Sequence, residues 1–174
     1  TNILLTPTLS WVTGSGTTTG YDVYFGTASN PPIVSTNQPG TSYTPAALNS
    51  GTIYFWKVQP RNTVVISTCS VIQFTTVATP GCPGNLSPAA SVINVSLNPV
   101  LSWTAGTGIT TGYDVYFGAA ASPPLVSTNQ PGTTYTPATL AIGTTYFWKV
   151  IPRNNGASPS SCSTLQFTTL AVPG

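Results

Sequence analysis

Apolar and polar side chains alternate along this chain in short runs. In Tyr21-Asp22-Val23-Tyr24-Phe25 the alternation puts Tyr21, Val23 and Phe25 on one face and Asp22 and Tyr24 on the other. That two-residue period is the mark of a strand with one face in a core and one in water. Tyr54-Phe55-Trp56-Lys57-Val58 reads the same way, with Tyr54, Trp56 and Val58 inward and Phe55, Lys57, Gln59 and Arg61 outward. No long 3.6-residue apolar period occurs, and 17 prolines and 16 glycines interrupt the chain too often for helices. The pattern predicts strands over 8–13, 21–26, 32–35, 42–44, 52–60 and 70–76.

The same series then returns. Gly20-Tyr21-Asp22-Val23-Tyr24-Phe25-Gly26 reappears letter for letter at 112–118, and residues 1–62 match 93–154 at 43 of 62 positions without a gap. One added residue then shifts the offset, so that Cys69 and Phe74 align with Cys162 and Phe167. The second set of predicted strands covers 100–105, 113–118, 124–127, 134–136, 144–152 and 163–169, preceded by one more within 86–97. A period of this length, built from short strands, predicts two copies of one small domain rather than a solenoid. About seven strands per copy predict an all-β chain, two immunoglobulin-like sandwiches in tandem. Domain 1 is assigned to 1–78, a Pro-containing and fairly stiff linker to 79–84, and domain 2 to 82–174. Trp11 and Trp103 are the expected core tryptophans of the facing sheet.

Charge removes several functions. The chain carries Asp22, Asp114, Lys57, Lys149, Arg61 and Arg153 and no other charged side chain, a net charge of +2. That balance is too thin to hold a phosphate backbone, so nucleic acid is not an expected partner. No apolar run approaches the ~20 residues of a spanning helix, so membrane insertion is not expected either. There is no His and no Glu, and one carboxylate per copy cannot assemble an acid/base pair, a triad or a metal cluster within a domain. The expectation is a protein that is not an enzyme and needs no cofactor. Asp22 and Lys57, both on the outward face, are expected to form an exposed cross-strand ion pair. Tyr24, Phe55, Lys57 and Arg61, with Tyr116, Phe147, Lys149 and Arg153, share that face. Aromatics beside cations on a flat sheet can stack on sugar rings or meet a partner protein, or simply pack on their neighbours.

Several of these residues resemble the fibronectin type III repeat. The likeness rests on Leu-Ser-Trp at 9–11 and 101–103, on the Gly-Tyr-Asp-Val-Tyr-Phe strand, and on Leu48-x-x-Gly51-Thr52-x-Tyr54 with Leu140-x-x-Gly143-Thr144-x-Tyr146. The last pattern is similar to the family's tyrosine corner, which implies that the hydroxyls of Tyr54 and Tyr146 bond back to upstream backbone. The Tyr-Phe-Trp-Lys-Val strand and the Ser-x-x-Gln-Phe-Thr-Thr ending are similar to repeats of large secreted or surface-anchored bacterial proteins. No Arg-Gly-Asp occurs, so integrin binding does not carry over.

In such a sandwich the first and last strands share a pole, which implies a Cys82–Cys162 disulfide. Cys69 and Cys82 would be held on the order of 40 Å apart by an extended strand, and Cys69 is left unpaired. Three reduced thiols are the alternative. The bridge would place the protein in an oxidising, extracellular setting. Residues equivalent to 82–92 do not precede Thr1, so domain 1 is expected to lack its first strand and to offer a groove for strand addition from a neighbouring copy. Function is expected to be structural or adhesive: a spacer or fibre-forming unit of a larger surface protein, with neighbouring domains or copies as partners. A carbohydrate-binding or enzyme-accessory module, contacting polysaccharide or another surface protein, is the alternative.

Overall fold

A computed structural model describes residues 2–62, 69–159 and 161–172. The chain divides into two compact units, Thr1–Ala78 and Thr79–Gly174, and the described residues hold strands and turns but no helix.

Unit 1 contains β1 (Asn2–Ile3), β2 (Leu9–Ser10), β3 (Gly20–Gly26), β4 (Ile33–Gln38), β5 (Ser42–Tyr43), β6 (Ile53–Arg61) and β7 (Ile72–Thr76). They form a five-stranded sheet, β1-β7-β6-β3-β4, facing a two-stranded sheet, β2-β5. Unit 2 contains β8 (Gly84–Ser87), β9 (Val92–Val95), β10 (Leu101–Thr104), β11 (Gly112–Gly118), β12 (Leu125–Gln130), β13 (Thr134–Tyr135), β14 (Thr145–Arg153) and β15 (Leu165–Thr169). Its sheets are β12-β11-β14-β15-β9 and β13-β10-β8.

The single strand expected within 86–97 is two strands in different sheets. β8 pairs antiparallel with β10, and after the cis Ser87–Pro88 bond the chain crosses to lay β9 parallel against β15. Alternation could not separate them, because each is only four residues long and Pro88 lies between. β1, which no pattern predicted, is the two-residue counterpart of β9 and pairs parallel with β7. Among the described residues unit 1 therefore has seven strands and unit 2 eight.

Both cores grow from the inward parity of the long strands. In unit 2, Val115, Phe117, Trp148 and Val150 of one sheet meet Leu101 and Trp103 of the other, all buried, with Phe167 and Leu140 closing the ends. In unit 1 the continuous cluster is smaller: Leu9, Phe25, Leu48 and Tyr54. Phe25 stacks on Tyr54 with ring centroids 5.1 Å apart, and Phe117 on Tyr146 at 5.2 Å.

The loop that leads into β6, and likewise the one into β14, is tied at two points. The backbone N–H groups of Asn49 and Ala141 donate to the hydroxyls of Tyr54 and Tyr146, each at 3.1 Å. Thr76 and Thr169, both fully buried, complete the tie. Thr76 Oγ1 donates to the Asn49 carbonyl at 2.7 Å and accepts the Thr52 N–H at 2.9 Å, and Thr169 does the same with Ala141 and Thr144. One hydroxyl thus satisfies a donor and an acceptor that the sheet ladder leaves over.

Candidate functional site

The outer face of each five-stranded sheet carries all of the charged side chains, on the two central strands. Antiparallel pairing sets Asp22 opposite Gln59, Tyr24 opposite Lys57 and Gly20 opposite Arg61. The expected Asp22–Lys57 pair does not form. Lys57 stands beside Tyr24, and its Nζ lies over the phenol ring, 4.5 Å from the centroid; Lys149 sits over Tyr116 at 4.7 Å. A cross-strand cation over a ring is attracted by the negative face of the π-system, by about 0.5–1 kcal/mol at an exposed site.

The two aspartates are not solvated either. Asp22 is 5% and Asp114 1% exposed, although both occupy the parity that faces away from the core. The cause is the neighbouring strand. β4 takes a three-residue step, from Ser35 to Gln38, against the two-residue step from Tyr21 to Val23, and β12 does the same, from Ser127 to Gln130, against Tyr113–Val115. At each bulge an asparagine takes the left-handed backbone, Asn37 with φ 49° and Asn129 with φ 48°, a conformation Asn tolerates better than most residues. Their N–H groups then point at the carboxylates, donating to Asp22 Oδ1 at 2.9 Å and Asp114 Oδ1 at 2.8 Å. The other oxygen takes the arginine: Arg61 Nε donates to Asp22 Oδ2 at 2.6 Å, and Arg153 Nε to Asp114 Oδ2 at 2.7 Å.

Gly20 and Gly112 make room for the bulge, because a Cβ at either would collide with Asn37 or Asn129. Burial alone would raise the Asp114 pKa, but the Arg153 hydrogen bond, the Asn129 N–H and the attraction of the guanidinium outweigh it and hold it below the ordinary carboxylate value. The Arg153 pKa is raised in turn, chiefly by its hydrogen bond to Asp114 and against the effect of burial.

Arg61 and Arg153, expected on an open binding face, are thus engaged in clasps that also fasten the edge strands β4 and β12. Depressions remain beside them: about 250 Å³ bordered by Tyr24, Gln59 and Arg61, and about 350 Å³ bordered by Asn129, Arg153 and Asn155. Tyr24 also donates to Gln59 Oε1 at 3.2 Å. Phe55 and Phe147 are half-buried. Nothing in the alternation distinguished a wet outward aspartate from a clasped one. The usable signal was the repeat itself, which sets one Asp, one Arg and one Gly-Tyr-Asp at matching places in both copies.

Cys82 and Cys162 form the disulfide, with Cα atoms 5.7 Å apart. Cys69 is a free, half-buried thiol. Trp103 is buried in its core, whereas Trp11 is only half-buried. Among the described residues no three His, Cys, Asp or Glu side chains gather where they could hold a metal ion.

Strand order decides the family of folds. In unit 2 the three-stranded sheet β13-β10-β8 faces the five-stranded sheet, and the leading segment, β8 and then β9, switches from one to the other. Each unit is an immunoglobulin-like β-sandwich. No family model matches the chain. It is 32% identical to Chitinase A1 of Niallia circulans over 170 residues, which is 90% of this chain and 22% of that protein. The chain therefore spans about a fifth of the relative it matches. Among solved structures, the chain is similar to the chicken CNTN1 FN1-FN3 domains, with TM-score 0.49 and 21% identity over 97% of this chain and 64% of that one. It is similar as well to a two-domain fibronectin type III segment of chicken tenascin, with TM-score 0.44 and 19% identity over 97% and 95% of the two chains.

Proposed function

We propose that this fibronectin type III-like pair is a non-catalytic structural module of a larger extracellular protein, one that spaces or joins the parts around it. The observation that carries the reading is the fate of the carboxylates. The chain has two, Asp22 and Asp114, and each is spent on an arginine clasp and a backbone N–H. With no His or Glu in the sequence, neither unit can set a free carboxylate or an imidazole beside a second acid or base. The Cys82–Cys162 disulfide supports an oxidising, extracytoplasmic location.

A second reading, an accessory module that holds polysaccharide for an attached hydrolase, draws on the likeness to Chitinase A1. The lysines over Tyr24 and Tyr116 weigh against it, because they occupy the ring faces on which a sugar would stack. Sedimentation of the chain with insoluble chitin and cellulose, with assay of released sugar, separates the readings. A structural module is neither retained nor releases sugar. Retention that disappears when Tyr24, Phe55, Tyr116 and Phe147 are replaced by Ala would transfer the chain to the accessory class, and sugar release would overturn both.

A further inference from the structure

The loop between β14 and β15 carries the pair Asn155-Gly156, and no other asparagine of the chain precedes glycine. The residue by which the second copy is longer than the first falls in this loop, between Asn154 and Cys162. Asn154 and Ala157, 3% and 2% exposed, close a two-residue turn in which each N–H donates to the other's carbonyl at 2.8 Å. Between them Asn155 and Gly156 take positive φ, 44° and 90°, as a tight hairpin turn of this kind requires. Both are exposed, and a Cβ added at Gly156 would meet nothing within 4 Å. The turn hangs on the strand of the clasp. The Asn155 N–H donates to Thr111 Oγ1 at 3.4 Å, that hydroxyl donates to the Arg153 carbonyl at 3.1 Å, and Asn155 and Gly156 border the same depression as Arg153 and Asn129.

We infer that Asn155-Gly156 is a site of self-modification, at which Asn155 is converted, without an enzyme, to aspartate and isoaspartate. The Gly156 N–H loses its proton to base in the solvent, and its nitrogen forms a bond to Asn155 Cγ. The bond from Cγ to the side-chain nitrogen breaks, ammonia leaves, and a five-membered imide closes. Water then opens the ring. Addition at Cγ gives aspartate; addition at the main-chain carbonyl gives isoaspartate, with the chain now running through Cγ. One water is consumed, one ammonia is released, and nothing is oxidised or reduced. Glycine makes the step accessible, because any other residue would set a Cβ against the forming ring. Asn49, which precedes Ser50, is the contrast: its N–H and carbonyl are tied to Tyr54 and Thr76. The turn restrains Asn155 as well, so the reaction waits on a local opening, which at an exposed two-residue turn costs far less than unfolding the unit. Either product adds a third carboxylate to the chain, beside Arg153, and lowers the net charge by one from +2. Isoaspartate also lengthens the main chain of the turn by a carbon, so the paired bonds between Asn154 and Ala157 are not both kept.

The test holds the full chain in warm, mildly alkaline buffer, digests it after Lys and Arg, and reads the fragments by mass spectrometry. A gain of about 1 Da is expected at Asn155, at least about 10-fold faster than at any other asparagine. Part of the product is expected as isoaspartate, which a protein isoaspartyl methyltransferase labels. Gly156→Ala is expected to slow the gain by about 10-fold or more. A strained turn in that variant would only expose Asn155 further, so slowing reports the ring closure and not the fold. In urea, unit 2 of the chain enriched in isoaspartate is expected to unfold at a lower concentration than in Asn155→Asp, whose main chain keeps its length. A gain at Asn155 no faster than elsewhere, or undiminished in Gly156→Ala, would overturn the site, and equal urea midpoints would overturn its effect on the turn.

Discussion

Arg153 donates through both Nε and Nη2 to a single oxygen of Asp114, Oδ2, and leaves Oδ1 to the N–H of Asn129. Two groups far apart in sequence are thereby drawn onto one carboxylate, and the edge strand β12 is fastened to the centre of its sheet. Replacing Asp114 by Ala removes the acceptor of both and leaves a bulge N–H without a partner. The expected loss is about 1–2 kcal/mol, discounted from the value for a fully buried pair because the Arg153 side chain is 41% exposed. Urea denaturation should show the loss in the transition of unit 2 and leave that of unit 1 in place.

The same clasp gives stability a sign in pH. The folded Asp114 pKa lies below its ordinary value of 3.8, so the folded state holds the proton less tightly than the unfolded one. The clasp's contribution is complete above the unfolded value and is lost as pH falls through the folded one. Unit 2 is expected to keep a constant denaturation midpoint from pH 7 to about 5 and to weaken below about 4. Asp114→Asn, which cannot titrate, should start lower and show a shallower acid slope. An identical slope in the variant would assign the acid effect elsewhere.

Removing the Cys82–Cys162 bond should act on unit 2 alone. The bond spans 80 residues of sequence, and the chain-entropy estimate for such a loop is roughly 4 kcal/mol. Denaturation of the paired Cys82→Ser, Cys162→Ser variant, or of the wild-type chain in reductant, is expected to lower the unit 2 midpoint and to spare unit 1.

Trp56 and Trp148 occupy matching places in β6 and β14, yet Trp148 is 0% exposed and Trp56 half-buried. With less apolar surface withdrawn from water, unit 1 is expected to unfold first. Acrylamide should quench Trp56 and Trp11 more readily than Trp148 and Trp103. Single-tryptophan variants resolve the four, and equal quenching would contradict the difference in burial.

Thr76 and Thr169 make a sharper comparison with the tyrosine hydroxyls. Tyr54→Phe and Tyr146→Phe each give up one hydrogen bond and should cost about 1 kcal/mol. Thr76→Val and Thr169→Val keep the shape but strand a backbone N–H and a carbonyl in a buried site, and should cost about 2 kcal/mol. Calorimetry or urea titration of the four variants tests the order.

Much of this protein was written in the alternation of its side chains. Val23, Phe25, Trp148 and Val150 fall on the core face because a strand's parity is local, and the repeat announced two domains because matching sequences fold alike. Two matters lay beyond that reach. Parity says which way Asp22 and Asp114 point, but whether that side is wet depends on the bulge opposite and on Arg61 and Arg153, which arrive from 39 residues away. Likewise β8 and β9 are neighbours in sequence and members of different sheets, and only the closing of the sandwich decides which edge each one covers. Side-chain pattern is a property of a strand; cover is a property of what folds against it.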